Sequence, residues 1–419
     1  MRRLPPTARS VGGLFFPQRT ELGLDARAAT PELVRTVCHL ATEVRSFERV
    51  SVVMKRVWGV EISDTTINRL ARQVGGELSE REANQQQGGD KEVVVPAMAV
   101  VCCDGGRIRT REPGRGRGVR LSGETGWRET KNALFDRMTP QGEHCPGVDP
   151  CPQLPSSFRS VKKVAEIAGK ALPEVRDVGG EGEQVPERIV YRGPRRVLRT
   201  VLSSMACSED FGRMMEREAR RRRFFEAPRR AFLGDGLPWN WSIWKEHFPD
   251  FTPILDFIHV LQYLYQAAEA LGEDEQAGWS LYVEHVTLCW AGRVDQVIAE
   301  LTAACQRQGV DPGEKLPEDH PLKPVTDAVR YLDNNRQRMK YPEYRKAGLP
   351  VTSAPMESLI KQINMRVKGT EMFWDDPAGA EAILHLRAAS LCDDDRLNEY
   401  LKTRPGYPFI RRSTSLNAA

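Results

Sequence analysis

The sequence predicts a mixed α/β fold that follows an all-helical N-terminal region. Helical periodicity fills residues 30–84, before any strand-like segment. Three short apolar segments then each end at an aspartate, and helical stretches lie between and after them. These aspartates are Asp104, Asp235 and Asp256. Strands that alternate with helices are typical of a mixed sheet covered by helices.

The composition is that of a globular protein with more than one domain. The chain has 419 residues, of which 40% are hydrophobic and 28% charged. No apolar window approaches the roughly 18 residues that a membrane span requires, so we expect no membrane partner. The nine cysteines lie mostly in apolar stretches, which indicates reduced thiols and a cytoplasmic protein. The basic start of the chain lacks a following apolar segment, so we expect no signal peptide.

Arginine clusters say more about partners than the net charge of +4 does. Six arginines lie between Arg107 and Arg120, and seven lie between Arg217 and Arg230. Such clusters suit contacts with nucleic-acid phosphates, although a solvated surface is the commoner meaning of any single cluster.

The N-terminal region resembles a DNA-binding helical pair. We expect residues 1–28, rich in Pro, Gly and Arg, to be a poorly ordered lead-in, and residues 29–90 to be helical. Helices predicted after Ser46 and after Ser63 or Asp64 are joined by a turn at Gly59, which is a helix-turn-helix pattern. The candidate DNA contacts on the second helix are Thr65, Thr66, Asn68 and Arg69. A plain helical hairpin is the alternative.

Residues 91–272 are assigned to the first part of the core. A buried strand is predicted to start near Pro96 and to end abruptly at Asp104. The later predictions in this part are strands near 107–111 and 131–135, a loop insertion at 138–190 with a short helix at 161–171, a helix over 197–225, strands at 230–234 and 252–255, and a helix through Leu271 that has His259 near its start.

Residues 273–347 are predicted to be a helical insertion, and 348–392 to complete the core with two helices. The first of these runs from about Pro355 to Lys368 and the second spans 376–391. Residues 393–419 are assigned to a weakly patterned C-terminal tail.

Asp104 and Asp235 stand in Asp-Gly pairs directly after apolar strands. Functional groups of open α/β sheets gather just outside strand ends, and glycine lets a phosphate backbone approach closely. Magnesium prefers carboxylates, water and substrate phosphates, and two ions can serve the attacking and the leaving oxygen. A single Asp-Gly is, however, also an ordinary turn signal.

Glu357 begins a helix with a basic stripe. Ser353 is predicted to cap this helix, and Glu357, Lys361, Asn364 and Lys368 share one face at helical spacing. A glutamate at the head of such a stripe suits a metal ligand beside DNA. The alternative is an early-helix glutamate favoured by the helix dipole and paired with Lys361.

Together these motifs resemble the ISKra-type insertion-sequence transposases, which are DDE enzymes of the ribonuclease-H-like superfamily. The segments that carry the resemblance are Cys103–Gly106, Gly126–Lys131, Leu233–Gly236 with Trp239, Asp256–Val260, Ala354–Ser358 and Ile363–Trp374. It covers roughly residues 29–392, with the order Asp, Asp, Glu and a helical insertion before the glutamate.

The resemblance implies a ribonuclease-H-like mixed sheet and metal-dependent DNA cleavage and strand transfer. It implies that Asp104, Asp235 and Glu357 are the catalytic and metal-binding residues, with two Mg²⁺ or Mn²⁺ ions as cofactors. The implied partners are terminal inverted repeats and target duplex DNA, and we expect a homo-oligomer on DNA in the bacterial nucleoid. Backbone phosphates would be held by Arg107, Arg109, Lys361, Asn364, Arg366 and Lys368.

Two further residues are candidate accessory groups. His259 could orient a phosphate or water and Trp239 could stack a base, although a structural histidine and a packed tryptophan are the alternatives. No phosphate-binding Gly-x-x-x-x-Gly-Lys motif occurs, so no nucleotide cofactor is expected. Two rival functions stay open: an inactive or regulatory DNA-binding protein, and a structure-specific nuclease on the same core.

Overall fold

The computed structural model describes residues 29–84, 94–111, 126–140, 147–167, 189–369 and 372–404. The predicted lead-in 1–28, the end of the tail and part of the 138–190 insertion lie outside the described residues.

Three helices form the N-terminal region, as predicted: α1 (Pro31–Glu43), α2 (Phe47–Trp58) and α3 (Asp64–Asn84). Ser46 caps α2 by accepting a 3.1 Å hydrogen bond from the amide of Arg49. Gly59 ends α2 with φ near +65°, a conformation that favours glycine. The Ser63 hydroxyl accepts a 3.2 Å bond from the amide of Thr66, so the predicted serine cap of α3 is confirmed.

A five-stranded mixed sheet forms the centre of the protein and confirms the mixed α/β class. Its strands are β1 (Met98–Arg109), β2 (Trp127–Thr139), β3 (Arg195–Ser204), β4 (Arg230–Gly234) and β5 (Thr252–Leu255). The order across the sheet is β3-β2-β1-β4-β5. The β1–β2 and β2–β3 pairs are antiparallel, whereas β1, β4 and β5 run parallel.

Two predictions about the strands are wrong. Strand β1 does not end at Asp104 but continues to Arg109, because β2 pairs with it as far as Trp127. Residues 195–204 form a strand and not a helix, and the helix begins only at Ser208. The apolar residues of 197–202 have helix-like spacing, but antiparallel pairing with β2 selects the extended conformation.

Helices cover both faces of the sheet. They are, in chain order, α4 (Val161–Ile167), α5 (Ser208–Arg221), α6 (Pro238–His247), α7 (Phe257–Leu271), α8 (Glu275–Trp290), α9 (Val294–Arg307), α10 (Lys323–Asn335), α11 (Tyr341–Lys346), α12 (Ala354–Val367), α13 (Pro377–Ser390) and α14 (Arg396–Thr403), with 3₁₀ turns at Ser156–Arg159, Phe224–Glu226 and Arg336–Arg338. None of the helices in the described ranges has both the length and the apolarity needed to cross a membrane.

Two hydrophobic clusters fix which helices face which side of the sheet. Val100, Cys102 and Leu233 belong to one cluster, which also contains residues of α7, α12, α13 and the N-terminal helices. Val101 and Phe232 point the other way, into a smaller cluster with α5 and α6. The N-terminal helices thus share a core with the rest of the described protein.

Helix α14 lies within the predicted C-terminal tail. Arg396 at its start is buried, and its Nη2 donates to Glu218 Oε1 of α5 over 2.5 Å. This buried ion pair attaches the segment to the core, which a weak hydrophobic pattern could not indicate.

Candidate active site

Three aspartates lie side by side at the carboxyl ends of the three parallel strands. Cys103 pairs with Gly234, and Gly234 pairs with Leu255. Asp104, Asp235 and Asp256 are the next residues in each strand direction, so they continue the same register. Neighbouring strands are spaced about 4.8 Å apart, which places the three backbones in one row.

The alternation of the strands points the Asp104 and Asp235 side chains to the same face of the sheet. Residues two apart on a strand point to the same face, so Asp104 lies on the face of Cys102 and Asp235 on the face of Leu233. Both of those residues lie in the cluster shared with α7 and α12. The carboxylates therefore face the helix that carries Glu357.

Asp235 is held by its own turn. Its Oδ1 accepts a 2.9 Å hydrogen bond from the amide of Leu237 and a short one from the side-chain amide of Asn240. Its carbonyl accepts a 2.8 Å bond from the Tyr331 hydroxyl. The next residue, Gly236, has φ near +102°, and a Cβ there would lie 2.5 Å from the Tyr331 ring. The glycine of this Asp-Gly pair is thus required by both conformation and space.

Asp256 is buried and joins β5 to the helix of Glu357. Its Oδ1 accepts a 2.8 Å bond from the Ser353 amide, and its Oδ2 accepts a short bond from the Ser353 hydroxyl. The predicted Ser353 cap of α12 is therefore wrong: the side chain makes no capping bond, because its hydroxyl is used by Asp256. Asp256 thereby sets where α12 begins.

His259 lies among the acidic residues. Its Nε2 is 3.7 Å from Asp256 Oδ2, one helical turn after the strand end. Burial alone would lower the pKa of His259, but the charges of Asp256, Asp104, Asp235 and Glu357 raise it. The four carboxylates around His259 thus favour its protonated form.

The pKa values of Asp104, Asp235 and Glu357 are all raised. Burial, and then repulsion from Asp235, raises the pKa of Asp104 to about 7. Burial also raises the pKa of Asp235, although its turn hydrogen bonds oppose this. Burial and the charge of Asp256 raise the pKa of Glu357. Raised pKa values of several neighbouring carboxyl groups, here two at strand ends and one on the facing helix, are typical of functional sites.

The carboxylate oxygens of Asp104, Asp235 and Glu357 are chemically suited to a divalent cation. In the described residues, however, the three side chains are not gathered around one point. Asp235 is the charged group that acts most on Asp104. The charges acting most on Glu357 are instead those of Asp256, His259, Lys361 and Glu166. Within the described residues, no three His, Cys, Asp or Glu side chains are grouped to hold one metal ion. A cation between the carboxylates would offset the repulsion that raises their pKa values.

The predicted phosphate contacts divide into surface and buried residues. Arg107, Lys361 and Lys368 are exposed, and Asn364 is partly exposed. The Arg109 guanidinium lies 4.4 Å from the ring centre of Trp127 and 5.4 Å from that of Phe373.

The prediction that Arg366 is a phosphate contact is wrong. Its side chain is 1% exposed, its Nε donates to the Ala41 carbonyl and its Nη1 donates to the Arg45 carbonyl over 3.3 Å. It therefore attaches α12 to the N-terminal helices and is not an exposed phosphate contact. Helical periodicity could not show this, because Arg366 lies next to the exposed stripe.

The predicted helix-turn-helix residues lie at the start of α3. Thr65 and Arg69 are exposed, whereas Thr66 and Asn68 are partly buried. The last two residues of α2, Val57 and Trp58, are also exposed, with exposed fractions of 64% and 52%. This end of the helical pair therefore presents polar, basic and apolar groups together.

Trp239, the other accessory candidate, is partly buried. It packs against the smaller hydrophobic cluster, and the Lys131 Nζ lies 5.7 Å from its ring centre. This packing favours the structural alternative for Trp239.

Sequence reasoning did not assign Asp256 or Ser353 to the site. The signal for Asp256 was present, because it follows an apolar strand as Asp104 and Asp235 do. No family model matches the chain, and no curated protein matches it. The motif resemblance to ISKra-type transposases therefore stays a prediction.

Proposed function

We propose that this protein is a transposase that cleaves DNA at the ends of an insertion sequence and joins them to a target. The observation that carries the proposal is the row of Asp104, Asp235 and Asp256 in one register, facing the helix of Glu357. Carboxylates at the ends of adjacent parallel strands, opposite an acidic helix, are consistent with a ribonuclease-H-like core.

Asp104, Asp235 and Glu357 would hold the metal, Mg²⁺ or Mn²⁺, as two ions. When bound, such ions activate the attacking oxygen and stabilise the leaving oxygen of a phosphodiester. Asp256 and His259 would position and charge-balance these ligands without holding the metal. Asp256 fixes α12 through Ser353, and His259 balances the four carboxylates.

DNA would lie along the basic surface beside these carboxylates. Lys361 and Lys368 continue the stripe that begins at Glu357, and Arg107 lies on β1 beyond Asp104. Exposed cations of this kind release counterions from the phosphate backbone, which makes binding salt-dependent. The helix pair α2–α3 would supply a second contact, and pairing of two DNA ends would require a homo-oligomer.

The test is cleavage of duplex DNA taken from the flanks of the gene, with Mg²⁺, by wild type and Asp235→Asn. Asp250→Asn, which changes an exposed aspartate just before the amino end of β5 and not at its carboxyl end, is the control. We expect discrete cuts by wild type and by Asp250→Asn, and none by Asp235→Asn. Cutting by Asp235→Asn would overturn the proposed site.

A regulatory DNA-binding protein without catalysis is the second candidate. The observation in its favour is that no three ligands are grouped for one ion in the described residues. Salt-sensitive DNA binding by all three proteins with no cleavage would favour it. Cutting of any branched duplex, without regard to element ends, would favour a structure-specific nuclease.

A further inference from the structure

A cavity of about 510 Å³ lies at the far end of α12 from Glu357. It is formed where the α1–α2 turn, α3, the end of α12 and residues 372–379 meet. Its volume falls within the range of about 300–1,000 Å³ that is usual for small-ligand sites. Lys368 on its lining is also the last member of the basic stripe, so the cavity is continuous with the proposed DNA surface.

The cavity contains a buried cation with an unused donor. Arg366 lines it, is 1% exposed, and its Nη2 has no hydrogen-bond partner in the described part of the chain. Its guanidinium lies 4.8 Å from the ring centre of Phe47 and 5.4 Å from that of Trp374. A buried donor without an acceptor is costly, and an acceptor on a ligand would satisfy it.

The charge of the lining suits an anionic ligand. Four cations, Arg45, Arg72, Arg366 and Lys368, face two carboxylates, an excess of two positive charges. Both carboxylates are already paired: Asp376 accepts from Arg72 at 2.9 and 3.0 Å, and Asp375 lies 3.0 Å from Arg111.

The apolar part of the lining is mainly aromatic. Phe47, Met372, Phe373 and Trp374 line the same cavity as the cations. Phe373 is partly exposed at the cavity. Aromatic side chains next to cations are the combination that stacks a base and holds its phosphate.

We propose that this cavity takes one unstacked nucleotide of the bound DNA strand, with its base against Phe373 and an acceptor atom at Arg366 Nη2. The proposal rests on the proposed DNA substrate but not on catalysis. Extruding a base from a duplex costs a few kcal/mol, and an aromatic pocket with a fixed hydrogen-bond donor can offset that cost.

The experiment measures affinity of the full chain for two short labelled single strands, one with bases and one abasic along its whole length. We expect wild type to prefer the strand with bases roughly tenfold, the ratio that a stacking contact of about 1.4 kcal/mol gives. Phe373→Ala should bring the ratio close to one, and Phe373→Tyr should keep it. Met365→Ala, an exposed change on α12 outside the cavity lining, should also keep it.

A wild type that binds both strands equally, or binds neither, overturns the cavity assignment. So does a Phe373→Ala protein that melts at the wild-type temperature and keeps the full preference. Asp235→Asn should retain the preference. If wild type prefers the strand with bases but does not cleave DNA, the transposase proposal alone is refuted. If wild type cleaves DNA without preferring the strand with bases, the nucleotide-binding role of the cavity alone is refuted.

Discussion

Asp256 accepts hydrogen bonds from both the amide and the hydroxyl of Ser353, residues that lie 97 positions apart. The pair connects the end of β5 to the start of α12 across the whole helical insertion α8–α11. Because Glu357 lies four residues after Ser353, the position of the third acidic group depends on a contact between two residues that have no catalytic role themselves.

Ser353→Ala removes only the hydroxyl hydrogen bond to Asp256. Hydrogen bonds to charged groups contribute about 1.5–3 kcal/mol, so we expect unfolding free energy to fall by about that amount. Urea unfolding of Ser353→Ala, Asp256→Asn and the double variant would measure it. We expect the double variant to lose less than the sum, and simple additivity would show that the two residues do not interact.

The raised pKa of Asp104 predicts a pH-dependent stability of the metal-free protein. Its folded pKa of about 7 lies above the ordinary value near 4, so the folded state binds the extra proton in between. Stability must then fall as pH rises from about 4 to 7. Asp104→Asn should remove this loss and be more stable than wild type at pH 7.5, on the order of 1–2 kcal/mol, and no more stable than an Asp250→Asn control at pH 4.

Divalent ions should reverse that effect. An ion that binds the folded protein stabilises it by about 2.7 kcal/mol at a hundred times its dissociation constant. We therefore expect Mg²⁺ or Mn²⁺ to raise the melting temperature of wild type at pH 7.5 and to have little effect on Asp104→Asn or Asp235→Asn. Equal shifts in all three proteins would place ion binding elsewhere.

Most elements could be predicted from sequence where local pattern and tertiary context agree. Helix α2 has a clear cap, α12 has Pro355 in its first turn, and the strands β4 and β5 have abrupt apolar-to-polar ends. The predicted bounds of these elements agree with the structure to within about one residue. The prediction for β3 was wrong because the spacing of its apolar residues fits a helix. Only pairing with β2 selects the strand conformation.

The site was predictable as residue types at strand ends but not as a set of contacts. Asp104 and Asp235 could be found from their Asp-Gly pairs, and Glu357 from its helix. The link from Asp256 to Ser353 joins distant segments, so no local pattern contains it. Arg366 was misassigned because burial of a guanidinium depends on the helices packed around it.

Arg366 and Lys361 should respond differently to substitution although both are cations of α12. Lys361 is exposed, so Lys361→Ala should leave stability unchanged and reduce the slope of DNA affinity against salt by about 1. Arg366→Met should lose two buried hydrogen bonds to backbone carbonyls and destabilise the protein by about 2–4 kcal/mol. Thermal unfolding and salt-dependent DNA titrations separate the two; a stable Arg366→Met protein would contradict the structural role.

The raised pKa of His385 predicts a second pH dependence of stability, at the contact between α3 and α13. Here the charged form of the side chain is favoured in the folded state, whereas for Asp104 it is the neutral form. Its Nδ1 lies 3.1 Å from Glu82 Oε2 and its Nε2 lies 3.2 Å from Glu381 Oε1. Burial would lower the pKa of His385, but hydrogen bonds to Glu381 and Glu82 raise it to about 9. The protonated form is therefore favoured in the folded state, and its stabilisation is complete below about pH 6.5 and lost as pH rises through 9.

His385→Gln should therefore destabilise the protein most at pH 6, on the order of 2–3 kcal/mol. The difference from wild type should shrink as pH rises from 6.5 to 9, because wild type then loses the same charge. His320→Gln, which removes a histidine whose Nδ1 accepts a hydrogen bond from the Leu322 amide, should show no such trend. Chemical unfolding at pH 6, 7.5 and 9 measures the difference; a constant gap across the three pH values would mean that His385 is not protonated in the folded protein.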